Sequence, residues 1–167
     1  YCFMKKLLTI LALTLMNSSI QAENEQPSLQ LAYLAGGCYW GLEELVRNIP
    51  GVIATKVGFS GGHIKNASYR EVSRGDTGHA ESIEIQFNNN ALSYEDLLLN
   101  FFKMHDPTTL NQQGNDKGTQ YRSGIFYTTE KQKKIALHAI DLVNKSKAWS
   151  DPVTTEVVAF TAFYPAE

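Results

Sequence analysis

The sequence predicts an α+β fold in which helices pack on one sheet. Three observations indicate this: strand-like stretches with alternating apolar residues, apolar residues at helical spacing between them, and turns containing Gly or Pro that separate the two. The 167 residues are 43% hydrophobic and 19% charged, which is typical of one domain with a real core. The predicted order is strand, helix, strand, strand, helix, strand, helix, strand. Its first six members follow the βαββαβ order of a split βαβ, ferredoxin-like two-layer sandwich, so we expect a mixed sheet with helices packed on it.

Local signals predict each element in turn. An apolar run at 31–35 predicts a buried strand, and Gly36-Gly37 permit backbone angles closed to other residues. A helix follows and is expected to end before Pro50. Alternation predicts a strand at 52–59 with Ile53, Val57 and Phe59 on one face. The remaining predicted elements are a helical turn at 69–74, a strand at 80–87, a helix at 93–104 capped by Ser93, a polar loop at 108–118, a strand at 123–128, a helix at 129–147 and a strand at 154–160.

The first 22 residues resemble a bacterial secretory signal. Lys5-Lys6 begin a basic head, 7–16 is mostly apolar, and 17–22 is typical of a cleavage region that ends at Ala22. The apolar stretch is too short for a spanning helix, although an uncleaved membrane anchor is the alternative. We expect a periplasmic or secreted protein with no membrane association after cleavage. The expected organisation is a signal at 1–22, with 1–3 upstream of the true start, a linker at 23–30 and the domain at 31–167.

Cys38 is the one thiol expected in the mature domain, because Cys2 lies in the leader. It stands where the Gly-Gly turn enters a helix, and free N–H groups together with the helix dipole favour negative charge there. Such sites lower the pKa of a cysteine to roughly 3.5–7.5, and the thiolate is the nucleophilic form. A lone cysteine forms no disulfide within its own domain. The local pattern leaves two interpretations open, a nucleophile and a buried structural thiol.

Glu81 is a second candidate functional residue. In the strand at 80–87 it shares a face with Ile83, Ile85 and Phe87. A carboxyl group in apolar surroundings retains its proton more readily, because desolvation disfavours the anion. The alternative is that Glu81 lies at a frayed strand end and reaches water.

Composition and motifs exclude several other classes. The formal net charge is −2 and no basic stripe occurs, so nucleic acid is not an expected partner. No glycine-rich loop matches a P-loop or a dinucleotide fingerprint. The four histidines are scattered, so no metal is expected, and His79 near Glu81 is interpreted as a turn residue and not a ligand. A cysteine hydrolase or acyl transferase using His79 or His105 as base stays an open alternative.

Five stretches, in order over about 31–167, resemble the A-type peptide methionine sulfoxide reductases. They are GGCYWGLEE from Gly36, YREV from Tyr69, GDTGHAE from Gly75, HDP from His105 and GNDKGTQYRSGIFY from Gly114. The resemblance implies an oxidoreductase, peptide-methionine (S)-S-oxide reductase, that repairs oxidised proteins. It implies that the Cys38 thiolate attacks the sulfur of methionine S-sulfoxide, free or in proteins. The products would be methionine and a sulfenic acid on Cys38.

The resemblance implies roles for six further residues. Glu81 protonates the sulfoxide oxygen, Tyr69 and Tyr121 hydrogen-bond that oxygen, Asp116 shapes and polarises the site, and Tyr39 and Trp40 form an apolar pocket for the methyl group on sulfur. The implied chemistry is coherent, because a sulfoxide oxygen leaves poorly until it is protonated and a neutral acid beside a thiolate supplies that proton. No cofactor is implied apart from an external thiol reductant, either a thioredoxin-like protein or a small thiol.

The sequence departs from many relatives in two respects. The expected mature domain has no resolving cysteine and its C-terminal stretch is short, so we expect either a truncated chain or direct resolution by the external thiol. Tyr39 stands where phenylalanine is common, which makes the pocket slightly more polar or directs a hydroxyl to solvent. The expected partners of the monomer are oxidised proteins or free methionine sulfoxide and the thioredoxin-like reductant. The alternative function is a non-catalytic domain that binds oxidised or Met-rich peptides through its aromatic residues.

Overall fold

The computed structural model of the protein describes residues 26–167, and the predicted signal at 1–22 lies outside them. The strands are β1 (Leu29–Gly36), β2 (Val52–Ser60), β3 (Ala80–Asn88), β4 (Gln112–Gln113), β5 (Asp116–Lys117), β6 (Ser123–Tyr127), β7 (Glu156–Ala159) and β8 (Phe163–Pro165). The helices are α1 (Tyr39–Val46), α2 (Tyr69–Ser73), α3 (Tyr94–Met104) and α4 (Glu130–Ser146), with a 3₁₀ helix at Thr119–Tyr121. Leu29 and Gln30, predicted in the linker, belong to β1. No helix between residues 26 and 167 combines the length and apolarity needed to cross a bilayer.

One mixed six-stranded sheet organises the described chain, which confirms the α+β class. Its strand order is β7-β6-β1-β3-β2-β8. Neighbouring strands are antiparallel except β6 and β7, which are parallel. The polar loop predicted at 108–118 contains the small β4–β5 hairpin. The sheet therefore brings the end of β1 and the starts of β6 and β3 to the same end of the sheet, where the predicted site residues lie.

The main core lies between one face of the sheet and the helices. The apolar stripe of α3 is buried, as are the three apolar residues predicted on one face of β3; they are Leu97, Leu98, Phe101, Phe102, Ile83, Ile85 and Phe87. The Ser93 side chain accepts a hydrogen bond from the N–H of Asp96 and so caps α3 as predicted. This core holds β1 and β3 rigidly beneath the turn that carries Cys38.

The predicted face of β2 is wrong at Ile53. The pairing of β2 with β3 shifts register between Val52 and Ala54, which is a β-bulge. A bulge leaves one residue unpaired and interrupts the alternation of side chains. Ile53 is consequently exposed, whereas Phe59, after the alternation resumes, is buried.

The C-terminal strands join opposite edges of the sheet. Three residues, 160–162, connect β7 at one edge with β8 at the other, and such a link spans at most about 14 Å between its flanking Cα atoms. A flat sheet of this size would separate its edges by about 24 Å. The sheet is therefore strongly curled, and the link crosses the face opposite the helices, where the Phe160 ring stacks on Tyr33 at 4.0 Å.

Candidate active site

Cys38 is the N-cap residue of α1, and it is exposed. The preceding Gly37 has φ +89°, a left-handed conformation that favours glycine. A Cβ atom on Gly37 would lie 2.5 Å from Cγ of Gln113. Gln113 is itself held by the backbone of Asp106. The side-chain oxygen of Gln113 accepts a hydrogen bond from the N–H of Asp106, and its side-chain NH₂ donates one to the carbonyl of Asp106. The β4–β5 hairpin, anchored to the loop before it, therefore supports the turn that presents the thiol.

Glu81 is buried, with 2% of its surface exposed, as predicted from its place on the apolar face of β3. The backbone N–H of Tyr39, the first residue of α1, donates to one carboxyl oxygen of Glu81 at 3.1 Å. Burial raises the pKa of Glu81 more than this hydrogen bond lowers it, and the nearby charge of Asp116 raises it further. In the neutral form the proton belongs on the other oxygen, because the oxygen bonded to Tyr39 acts as an acceptor.

Three aromatic rings form a row beside this acid. The Tyr39 ring lies between those of Trp40 and Tyr69, with centroid distances of 6.3 and 6.4 Å and interplanar angles of 25°. Tyr39 is buried, whereas Trp40 is 70% exposed and Tyr69 is 54% exposed. The row therefore presents two open aromatic surfaces to solvent around a buried central ring.

Tyr39 and Tyr121 show that the predicted residues share one neighbourhood. Burial raises the pKa of Tyr39 to about 12, and the charges of Glu81, Tyr69, Cys38 and Tyr121 contribute to the rise. Burial likewise raises the pKa of Tyr121, with contributions from the same acid, thiol and phenol and from Asp116. Asp116 is exposed on β5, and Tyr121 ends the 3₁₀ helix. All seven predicted site residues thus gather at the N-terminus of α1.

The two histidines considered as bases are held by other groups. His79 is buried; its Nδ1 accepts from the N–H of Gly62, so its Nε2 donates to the carbonyl of Ile64. In His105, Nδ1 donates to the carbonyl of Phe101 and Nε2 accepts from the Ser123 hydroxyl. Burial lowers the pKa of His105 to about 4. Neither ring nitrogen pair is available to take a proton from Cys38. Within residues 26–167 no cluster of three potential metal-ligating side chains occurs.

Two supporting side chains were missed in the sequence, Gln113 and Arg122. Gln113 packs on Gly37, and Arg122 bonds one carbonyl oxygen on the 3₁₀ helix, one on the loop before β3 and a carboxylate on β7. The Gly-Gly pair indicated a turn but carried no signal for the side chain that packs on it. The position of Arg122 directly after Tyr121 was visible, but two of its partners, Gly78 and Glu156, are distant in sequence.

The chain is similar to known proteins by a family model, in sequence and in fold. The family model described as peptide methionine sulfoxide reductase matches residues 30–167. The chain is 52% identical over 140 residues to peptide methionine sulfoxide reductase MsrA of Mycobacterium tuberculosis, covering 84% of this chain and 75% of that protein. It is similar to the crystal structure of reduced Mxr1 from Saccharomyces cerevisiae, with TM-score 0.78, 34% identity, and coverage of 83% and 80% of the two chains. Mxr1 in complex with Trx2 matches with TM-score 0.59, 23% identity, and coverage of 81% and 79%.

Proposed function

The chain belongs to the peptide methionine sulfoxide reductase family, and from that premise we propose that Cys38 and Glu81 carry out the reduction of methionine S-sulfoxide to methionine. The enzyme is a peptide-methionine (S)-S-oxide reductase, an oxidoreductase that repairs oxidised methionine. The observation that carries the assignment is the hydrogen bond from the N–H of Tyr39, next to Cys38, to the buried carboxyl of Glu81. This bond places the carboxyl of Glu81 against the backbone of the residue that follows Cys38. A non-catalytic peptide-binding domain is not favoured.

Cys38 acts as the nucleophile. Its place at the N-cap of α1 puts the thiolate near backbone N–H groups that lack intrahelical partners. The N–H of Tyr39 is taken by Glu81, which leaves the amides of Trp40 and Gly41 as the groups that stabilise negative charge on sulfur or oxygen. Because the thiol is exposed, a methionine sulfoxide on a protein surface can reach it.

Glu81 acts as the acid. Burial and the charge of Asp116 keep it protonated to higher pH than an ordinary glutamate. Its free oxygen donates the proton to the sulfoxide oxygen as the thiolate attacks sulfur, since an unprotonated oxide is a poor leaving group. Tyr121, whose phenol lies near the same acid, and Tyr69, whose ring lies 6.4 Å from that of Tyr39, hydrogen-bond the sulfoxide oxygen, and Trp40 with the ring of Tyr39 receives the methyl group.

The net reaction transfers the sulfoxide oxygen to Cys38, giving methionine and a cysteine sulfenic acid. Two thiol equivalents then reduce the sulfenic acid to the thiol and water, with a disulfide as the oxidised product. Yeast Mxr1 is described in complex with Trx2. We extend that chemistry to this chain as a thioredoxin-like or small-thiol reductant, with no bound cofactor or metal and with the enzyme acting as a monomer.

Two broader features belong to the same proposal. The order β6-β1-β3-β2, antiparallel throughout, supports a split βαβ, ferredoxin-like core to which β7 and β8 are added.

The basic head and apolar run before residue 22 support export to the periplasm or beyond. Cell fractionation with N-terminal sequencing of the mature protein tests the second feature, and mature protein that remains in the cytoplasm would contradict it.

Single-turnover kinetics test the two chemical roles separately. Cys38→Ser should release no methionine from methionine S-sulfoxide with dithiothreitol as reductant. Glu81→Gln should slow methionine release by about 10²–10⁴-fold, the usual contribution of a general acid, while Cys38 still reacts with an alkylating reagent. Lys145→Met, on an exposed face of α4, is the matched control. Full activity of the serine variant would refute the nucleophile, and an unchanged rate in the glutamine variant would remove Glu81 as the acid.

A further inference from the structure

We propose that Arg122 is a positioning residue. It holds Tyr121 at a fixed distance from the start of β3, the strand that carries Glu81. The proposal rests on the function assigned above, because it concerns how the phenol and the acid of that site are kept together. Arg122 follows Tyr121 directly in the chain, and its guanidinium bonds backbone groups of the 3₁₀ helix and of the loop before β3.

The guanidinium of Arg122 makes three hydrogen bonds to three separate segments. Its Nε donates to Oε1 of Glu156 at 2.6 Å, Nη1 to the carbonyl of Thr119 at 2.8 Å, and Nη2 to the carbonyl of Gly78 at 3.0 Å. The side chain is only 14% exposed. Charge-assisted bonds in such shelter are stronger than neutral or fully solvated ones.

Two of these bonds connect the backbone segments that carry Tyr121 and Glu81. Thr119 begins the 3₁₀ helix that ends at Tyr121, so the bond to its carbonyl closes that turn. Gly78 lies three residues before Glu81, just ahead of β3. One rigid guanidinium therefore sets the distance between the backbone that carries the phenol and the backbone that carries the acid.

The third bond and a close contact hold the guanidinium itself. Glu156 is on β7, in register with Gly124 of β6, the strand that follows Arg122. On the other side, a Cβ atom on Gly61 would lie 2.9 Å from Nη2, so the turn after β2 packs directly on the guanidinium. Arginine alone fits this arrangement, because its donors form a rigid planar fork, whereas a lysine ammonium is a point charge on a flexible stem.

The test uses the full chain with Arg122→Met, Arg122→Lys and Glu156→Gln, and with Lys145→Met as control because it removes an exposed ion pair with Asp141. The rate of methionine release in a single turnover without reductant should fall by about tenfold to a hundredfold in Arg122→Met, because small misplacements of reacting groups have effects of this size. Arg122→Lys and Glu156→Gln should give smaller losses. The alkylation rate of Cys38 should stay within about twofold of wild type, because the α1 N-cap is held elsewhere.

Two further readouts distinguish positioning from a general loss of structure. The pH at which the single-turnover rate declines on the alkaline side should move downward in Arg122→Met, because water reaching Glu81 weakens the desolvation that raises its pKa. In a double-mutant cycle, the combined loss in Arg122→Met with Tyr121→Phe should be smaller than the product of the two single losses, because part of the effect of Arg122→Met acts through Tyr121.

Three outcomes would overturn the proposal: a wild-type rate in Arg122→Met, losses that are additive with Tyr121→Phe, or a parallel loss of Cys38 alkylation. If Arg122→Met does not fold, the same criteria apply to Arg122→Lys and Glu156→Gln. A wild-type rate in Tyr121→Phe would refute the role proposed for Tyr121 itself, whereas a slow Tyr121→Phe with a fast Arg122→Met would refute only the positioning role.

Discussion

At the scale of single residues, the chemistry depends on an exposed thiol beside a buried acid. The burial of Glu81 could be predicted, because alternation along β3 places it on the apolar face with Ile83 and Ile85. Its hydrogen bond from the N–H of Tyr39 could not, because that bond joins residues 42 positions apart and depends on how α1 stands over β3. The roles of the two tyrosines and the aspartate were likewise implied only by resemblance, since local patterns do not show which loops meet.

The raised pKa of Glu81 predicts a stability cost. A group whose folded-state pKa is raised stabilises the fold fully below its unfolded pKa, and this contribution is lost as the pH rises through the folded value. At neutral pH the wild-type protein therefore bears the cost of a buried carboxyl. Glu81→Gln retains an acceptor for the N–H of Tyr39 and should be more stable than wild type at pH 7–8, by about 0.5–2 kcal/mol. Replacing a destabilising functional group commonly raises stability by this amount.

Urea unfolding at several pH values measures this difference. The advantage of Glu81→Gln should shrink as the pH falls toward and below the ordinary glutamate value of 4.5, because well below that pH the wild-type carboxyl is protonated in both the folded and the unfolded state. Equal stability of the two proteins at pH 8, or an advantage that grows at low pH, would contradict a raised pKa at this position.

At the scale of elements, the Gly-Gly turn and helix α1 act as one unit that presents the thiol. The strand, turn and helix were all predicted from sequence, because periodicity and glycine are local signals. The packing of Gln113 on Gly37 was not predicted, because it depends on the path of the loop at 106–113.

Two alanine substitutions within this unit, one residue before Cys38 and three residues after it, should have opposite effects. Gly37→Ala places an alanine at a backbone position with φ +89° and brings its Cβ to 2.5 Å from Cγ of Gln113. It should destabilise the protein by about 2–4 kcal/mol from strain and overpacking, and slow methionine release. Gly41→Ala, in open space on α1, should stabilise the helix by about 0.5–1 kcal/mol. Thermal unfolding measures both, and equal effects would contradict the role of the Gln113 contact.

A buried hydrogen-bond chain links α3, β6 and the segment before β7. The Thr155 hydroxyl donates to that of Ser123, which donates to Nε2 of His105, whose Nδ1–H donates to Phe101. This direction follows because the carbonyl of Phe101 can only accept, which leaves Nε2 as the acceptor. The His105 ring also packs against the α-carbon of Gly36, so the chain supports the turn beneath Cys38.

The lowered pKa of His105 predicts acid destabilisation. The unfolded chain takes up a proton at about 6.5 and the folded chain only at about 4, so this contribution is present above pH 6.5 and is lost as the pH falls toward 4. The loss amounts to about 3 kcal/mol. His105→Gln cannot titrate, and the free energies of unfolding of the two proteins, measured in urea at pH 7.5 and pH 4.5, should converge as the pH falls. A constant difference would show that His105 titrates normally.

At the scale of the whole molecule, the curled sheet explains why residues near the C-terminal end of the chain support a site whose groups lie between Cys38 and Tyr121. The link at 160–162 joins both sheet edges, and β7 brings Glu156 to Arg122. The long helices and longer strands were predicted from sequence. The strands β4, β5 and β8 were not, because two or three residues carry no periodicity and their pairing is set by distant parts of the chain.

The central claim is that the thiol of Cys38 receives the sulfoxide oxygen with the help of Glu81. The most direct test is a single turnover with methionine S-sulfoxide and no reductant, with dimedone present to trap sulfenic acid, followed by mass mapping of the peptides. The account predicts one methionine released per chain and one dimedone adduct, located on Cys38, with both formed far more slowly in Glu81→Gln. Methionine released without an adduct on Cys38, or released equally fast by Glu81→Gln, would contradict it.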